Sequence, residues 1–91
     1  MGESLTLLGS TLHLSKSNML IVRGTRKVPK IGDPVYDNKS RTIGIIYDII
    51  GPVSSPYIVI KPSSDLTPHD LRRLKKVYVK SPLKDIRRKR R

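Results

Sequence analysis

The stretch Ile43–Pro62, IGIIYDIIGPVSSPYIVIKP, decides the fold. Two apolar, β-branched runs flank a loop carrying a glycine and two prolines, which reads as one long strand, a stiff turn and a second strand. The first run does not alternate cleanly. On a regular strand Ile43, Ile45, Tyr47 and Ile49 share one face and Gly44, Ile46, Asp48 and Ile50 the other. Regular alternation places Tyr47 in the core and leaves Ile46 and Ile50 as a surplus apolar face. A small barrel needs one buried face per strand, so the surplus calls for a cover, and a partner protein is the candidate. Gly44 marks either a sharp bend where a barrel closes or a point where another backbone comes close.

Working outward, Leu8, Ser10, Leu12 and Leu14 alternate as a strand with one buried face. Ser15–Asn18 turns the chain, and Met19–Arg23 pairs back. Gly24–Lys30 reads as a polar connection, Ile31-Gly32-Asp33-Pro34 as a turn into Val35-Tyr36-Asp37, and Asn38–Ser40 as the next turn. Arg41–Ile50 is the long central strand and Pro56–Lys61 the one after it. Thr67-Pro68-His69-Asp70 has the order of a helix start, with a capping hydroxyl, a proline at the first helical position and an acid at the positive end of the dipole. Leu71 and Leu74 allow one short helix. Lys75–Lys80 is the last strand, with Val77 and Val79 facing one way and Tyr78 the other. Six short strands between Gly/Pro turns predict an all-β, six-stranded closed barrel over residues 1–80, followed by a flexible basic tail over 81–91.

With 91 residues, 36% of them hydrophobic, the chain supports one small core built from Ile, Leu and Val, since Trp and Phe are absent. The absence of cysteine removes disulfides and thiolate metal sites. No apolar run reaches the roughly 20 residues that span a bilayer. A basic-flanked leader is also missing, so the expectation is a soluble cytoplasmic protein without membrane contact. The net charge of +12 is unevenly placed. Residues 1–68 carry eight Lys/Arg against five Asp/Glu, a net +3, and residues 69–91 carry eleven against two, a net +9. Such asymmetry points to a polyanion, nucleic acid before membrane, although charge runs also occur as solubilising tails. Lys84, Arg87, Arg88, Lys89, Arg90 and Arg91 are the residues that would neutralise phosphates.

The chemistry of catalysis is missing. His13 and His69 lie far apart, and no phosphate-binding glycine loop or nucleophile motif occurs. Asp48 stands alone among apolar residues, without a base or nucleophile partner, so it reads as a group that fixes a turn or pairs with a cation. The expectation is therefore no enzyme, no metal and no cofactor. The four tyrosines, Tyr36, Tyr47, Tyr57 and Tyr78, are scattered, which gives little support to base stacking.

The run Ile31-Gly32-Asp33-Pro34-Val35, the spacing Gly44-x-x-x-Asp48-x-x-Gly51-Pro52-Val53 and the following Pro56-Tyr57 resemble the small Gar subunit of H/ACA ribonucleoproteins, in its minimal archaeal form without glycine-arginine extensions. The resemblance covers about residues 7–80. It implies a barrel similar to domain two of translation elongation factors. It also implies a non-catalytic accessory subunit that docks on the catalytic subunit of an RNA-guided pseudouridine synthase. There the subunit would aid loading and release of substrate rRNA, meeting guide RNA and rRNA indirectly or through the tail. Carried onto this chain, the docking residues are Gly44, Ile46, Asp48, Ile50, Gly51, Pro52, Val53, Pro56 and Tyr57. The competing expectation is a free-standing RNA-binding barrel that uses its basic tail on rRNA or tRNA.

Overall fold

The computed structural model describes residues 5–25, 27–80 and 82–85. Strands β1 (Thr6–Leu14) and β2 (Leu20–Arg23) form a hairpin through a turn in which the Ser15 N–H donates to the Met19 carbonyl at 2.8 Å. A two-residue strand β3 (Lys27–Val28) follows, then β4 (Pro34–Tyr36), β5 (Thr42–Ile50) and β6 (Tyr57–Pro62). Helix α1 (Pro68–Arg72) precedes β7 (Lys76–Val79), and β8 (Lys84–Asp85) pairs with β3 as a separate ribbon. The sequence expectation had neither β3 nor β8. Two-residue strands carry no periodicity to read, and Lys84–Asp85 falls in the stretch expected to be tail.

Six strands close a barrel in the order β1-β2-β6-β5-β4-β7, with every neighbouring pair antiparallel and β7 returning to β1. The expected all-β six-stranded barrel is the fold. Its core is Leu8, Leu20, Val22, Val35, Ile43, Ile46, Ile58, Ile60, Val77 and Val79, each at most 3% exposed. Burying such side chains stabilises the fold by about 1.5–3 kcal/mol apiece. The helix forms as its sequence signals predict. Thr67 and Asp70 make a reciprocal capping box, Pro68 begins the first turn, and Leu71 is buried against the barrel next to β1.

The β4–β5 hairpin turns around Asp37, a buried acid. Its carboxylate accepts the Lys39 N–H at 2.8 Å, the Arg41 N–H at 2.9 Å and the Arg41 Nε–H at 2.9 Å. Burial pushes the Asp37 carboxyl up. The hydrogen bonds from Arg41 and Lys39, with the Arg41 charge, outweigh that and hold it below its ordinary value.

Bulges reset which side chains face the core. Register shifts in β1 between Leu7 and Gly9 and between Thr11 and His13 leave Leu12 45% exposed, although alternation placed it on the same buried face as Leu8. Two further shifts in β5 have the larger consequence, one that skips Ile43 in the pairing with β4 and one between Ile46 and Asp48 in the pairing with β6.

Candidate partner-protein interface

Before the β5 bulge, Ile46 stands opposite Ile60 and points inward. After it, Asp48 faces Val59, Ile49 faces Ile58 and Ile50 faces Tyr57. Ile58 and Ile60 are fully buried, so Ile49 takes the inward position and Asp48 and Ile50 point out. Tyr47 is the extra residue. The alternation read from the sequence breaks twice in β5, first at Ile43, which is skipped in the pairing with β4, and again at Tyr47. Ile46, expected on the surplus face, is 1% exposed inside the barrel, and Tyr47, expected in the core, is 54% exposed.

The surplus apolar surface exists, with different members. Ile45, Tyr47 and Ile50 are exposed along β5 and Val53 is exposed on the loop that follows. Ile31 joins them from the β3–β4 connection. That connection is tied to β5 by the Gly32 N–H donating to the Ile46 carbonyl at 2.8 Å and the Ile46 N–H donating to the Asp33 carbonyl at 2.9 Å. A run of large apolar groups left open to solvent on a small domain is a candidate interaction surface.

Gly44 is buried and contributes no surface. A Cβ there would lie 2.3 Å from the Lys61 carbonyl oxygen of β6, so the close backbone approach is to the barrel's own neighbouring strand. Asp48 is exposed, and its Oδ1 accepts the Ile49 N–H at 2.8 Å just past the bulge.

The loop after β5 is held in one shape. Gly51 has φ +94, and a Cβ on it would come within 3.0 Å of the Tyr57 ring, so the turn and the ring's packing both favour glycine. The Ser55 N–H donates to the Pro52 carbonyl at 3.3 Å, and Pro56 is buried while its carbonyl accepts the Gly24 N–H at 2.8 Å. Arg23, at the end of β2, clamps the far side. Its guanidinium donates to Ser55 Oγ at 2.9 Å and to Tyr57 Oη at 3.2 Å, and it sits 5.2 Å from the Tyr57 ring centroid. Of the predicted site residues, Ile50, Pro52 and Val53 are thus exposed, Tyr57 is half-buried under Arg23, and Gly44, Ile46 and Pro56 act from inside. Arg23, Ile45 and Tyr47 were not foreseen. Arg23 meets Tyr57 only through the β2–β6 register, and the other two depend on the register shift at Ile43.

The candidate RNA-contact residues Arg87, Arg88, Lys89, Arg90 and Arg91 lie outside the described residues, and Lys84 is placed by its backbone alone. No group of three or more His, Asp or Glu side chains among the described residues could hold a metal. No described helix is long and apolar enough to cross a membrane.

The family model described as the Gar1/Naf1 RNA binding region matches residues 5–88. The chain belongs to the Gar1/Naf1 family. It is 39% identical over 61 residues to an uncharacterized protein of Methanothermobacter thermautotrophicus, covering 67% of this chain and 65% of that one. It is 28% identical over 81 residues to the H/ACA ribonucleoprotein complex subunit GAR1 of Chaetomium globosum, covering 87% of this chain and 39% of that one. A second archaeal protein, from Methanocaldococcus jannaschii and likewise uncharacterized, is 47% identical over 51 residues, or 56% and 60% of the two chains. The chain thus spans less than two thirds of each of these relatives. The family resemblance read from the Gly44–Tyr57 spacing agrees with these matches.

Proposed function

We propose that this chain is a non-catalytic accessory subunit of an H/ACA ribonucleoprotein. In this reading it docks on the catalytic subunit of the pseudouridine synthase through Ile45, Tyr47, Ile50 and Val53. One observation carries the reading: an exposed apolar surface beside a loop already held in shape by Gly51, the prolines and Arg23. A pre-ordered loop loses less conformational entropy on docking, so more of its apolar contact is realised as affinity. Asp48, at the bulge between Tyr47 and Ile50, supplies a charge at the rim for a partner cation.

Support for the RNA-processing context comes from the family match and from the GAR1 names of the fungal relatives. From that context follows the finer expectation, that the docked subunit aids loading and release of substrate rRNA on the synthase. The test combines the mass of the mixture in solution with single- and multiple-turnover pseudouridylation by the assembled particle. A stable complex and a selective loss of multiple turnover without this subunit support the proposal. A chain that stays monomeric beside the cognate synthase and binds RNA with full affinity alone would favour the free-standing RNA-binding barrel.

A further inference from the structure

A second constellation lies on the outer wall of the barrel and shares no residue with the docking seat. Val77 and Val79 are fully buried, so Lys76, Tyr78 and Lys80 point outward. Tyr78 stands directly opposite Tyr36 of β4 and, on its other side, opposite the exposed Leu7 of β1. Val35 is buried, so Tyr36 shares the outward face. The Lys80 ammonium lies 4.5 Å from the Tyr36 ring centroid. At the start of β7 this face runs into a groove lined by Asn38, Arg73, Lys75, Lys76 and Tyr78. Asp37 also borders the groove, but its carboxylate is committed to Arg41 and to the backbone of its own turn. Arg73, Lys75 and Lys76 are exposed and form no ion pair among the described residues.

The groups and their order suit one class of ligand. Tyr78, part-buried beside the Lys80-covered Tyr36, offers a ring on which an unpaired base can stack, and the cations beside it match a phosphate backbone. Asn38 adds an amide that can both donate to and accept from a base edge. A duplex keeps its bases stacked on one another and has no use for the ring pair. An acidic peptide would meet the cations and leave the tyrosines idle.

We propose that the β4–β7 wall binds single-stranded RNA, with a base on Tyr78 beside the Tyr36–Lys80 pair and phosphates on Arg73, Lys75 and Lys76. The contact is built into the barrel and is separate from the charged residues after Asp85. It does not rest on the docking reading, because it uses none of the exposed apolar residues of β5, although β4 pairs with β5.

The experiment is fluorescence anisotropy of the full chain with a labelled 12-nucleotide single-stranded RNA over a range of salt, beside an RNA duplex of the same length. Tyr78→Ala should weaken single-strand binding by about 5- to 150-fold. The triple variant Arg73→Ala/Lys75→Ala/Lys76→Ala should reduce the slope of log affinity against log salt by about 2, at about 0.7 per lost phosphate contact. Tyr78→Leu keeps an apolar group on the wall, and should bind as weakly as Tyr78→Ala while melting like the unaltered chain. The proposal is overturned if both tyrosine variants bind with unchanged affinity. It is equally overturned if removing Arg87–Arg91 abolishes binding while the triple variant keeps the full salt slope. Equal binding of duplex, insensitive to Tyr78, overturns the single-strand assignment. Docking of Tyr78→Leu on the synthase is measured in parallel and should be unchanged, so failure of the docking reading and failure of this one are told apart.

Discussion

Ile46 and Ile50 are four residues apart on one strand, and without the bulge they would share a face and respond alike to truncation. The structure separates them, with Ile46 at 1% exposure against Ile60 and Ile50 at 49% opposite Tyr57. Ile46→Ala removes a fully packed side chain and leaves a cavity, a change that costs about 2–5 kcal/mol. Against a total stability of about 5–14 kcal/mol for a domain of this size, a cavity loss near the middle of its own range leaves the variant folded enough to be melted. At about 4–8 °C per kcal/mol, its midpoint should fall by roughly 10 °C or more. Ile50→Ala removes a side chain that is already half in water, so about 1 kcal/mol or less is expected. Urea and thermal unfolding of the two variants with the unaltered chain supply the comparison. Equal losses, or a larger loss for Ile50→Ala, would refute the bulge and the exposed surface that follows from it.

Gly44→Ala places a methyl against the Lys61 carbonyl, a backbone atom that cannot swing aside, and should destabilise the barrel by about 1–3 kcal/mol or more in urea unfolding. Arg23→Ala should leave the thermal midpoint nearly unchanged because the contact is exposed, while raising backbone exchange across Gly51–Tyr57 measured by hydrogen exchange. The Asp37 carboxyl is held below its unfolded value, so its contribution to stability is present above about pH 4 and lost as pH falls through the folded value. Asp37→Asn should therefore be less stable at neutral pH, with the gap to the unaltered chain narrowing in unfolding curves taken toward pH 3.

Much of the barrel was legible because its strands announce themselves by β-branched runs between Gly/Pro turns. The helix start was equally plain, since Thr67, Pro68 and Asp70 each act locally and all three sit where their chemistry requires. What the chain did not disclose was phase. A register shift at Ile43 puts Ile46 inward and Tyr47 outward, the bulge after Ile46 returns Ile49 to the core, and no residue type at either point signals it. The site residues in and around the loop were better marked, because Gly51 and the prolines carry backbone meaning on their own. Arg23 could not be found from spacing alone, since its contact with Ser55 and Tyr57 spans more than thirty positions. The same holds for Tyr36 and Tyr78, which looked scattered and are brought opposite each other by the closing of β4 on β7.

The central claim is that the exposed surface of β5 seats a larger protein. Calorimetric titration of the cognate synthase with the unaltered chain, Ile50→Glu and the remote control Leu12→Glu tests it most directly. Both variants add one carboxylate to an exposed position on the barrel. The account predicts at least tenfold weaker binding for Ile50→Glu, equivalent to about 1.4 kcal/mol, and unaltered affinity for Leu12→Glu. Undiminished binding of Ile50→Glu would contradict it.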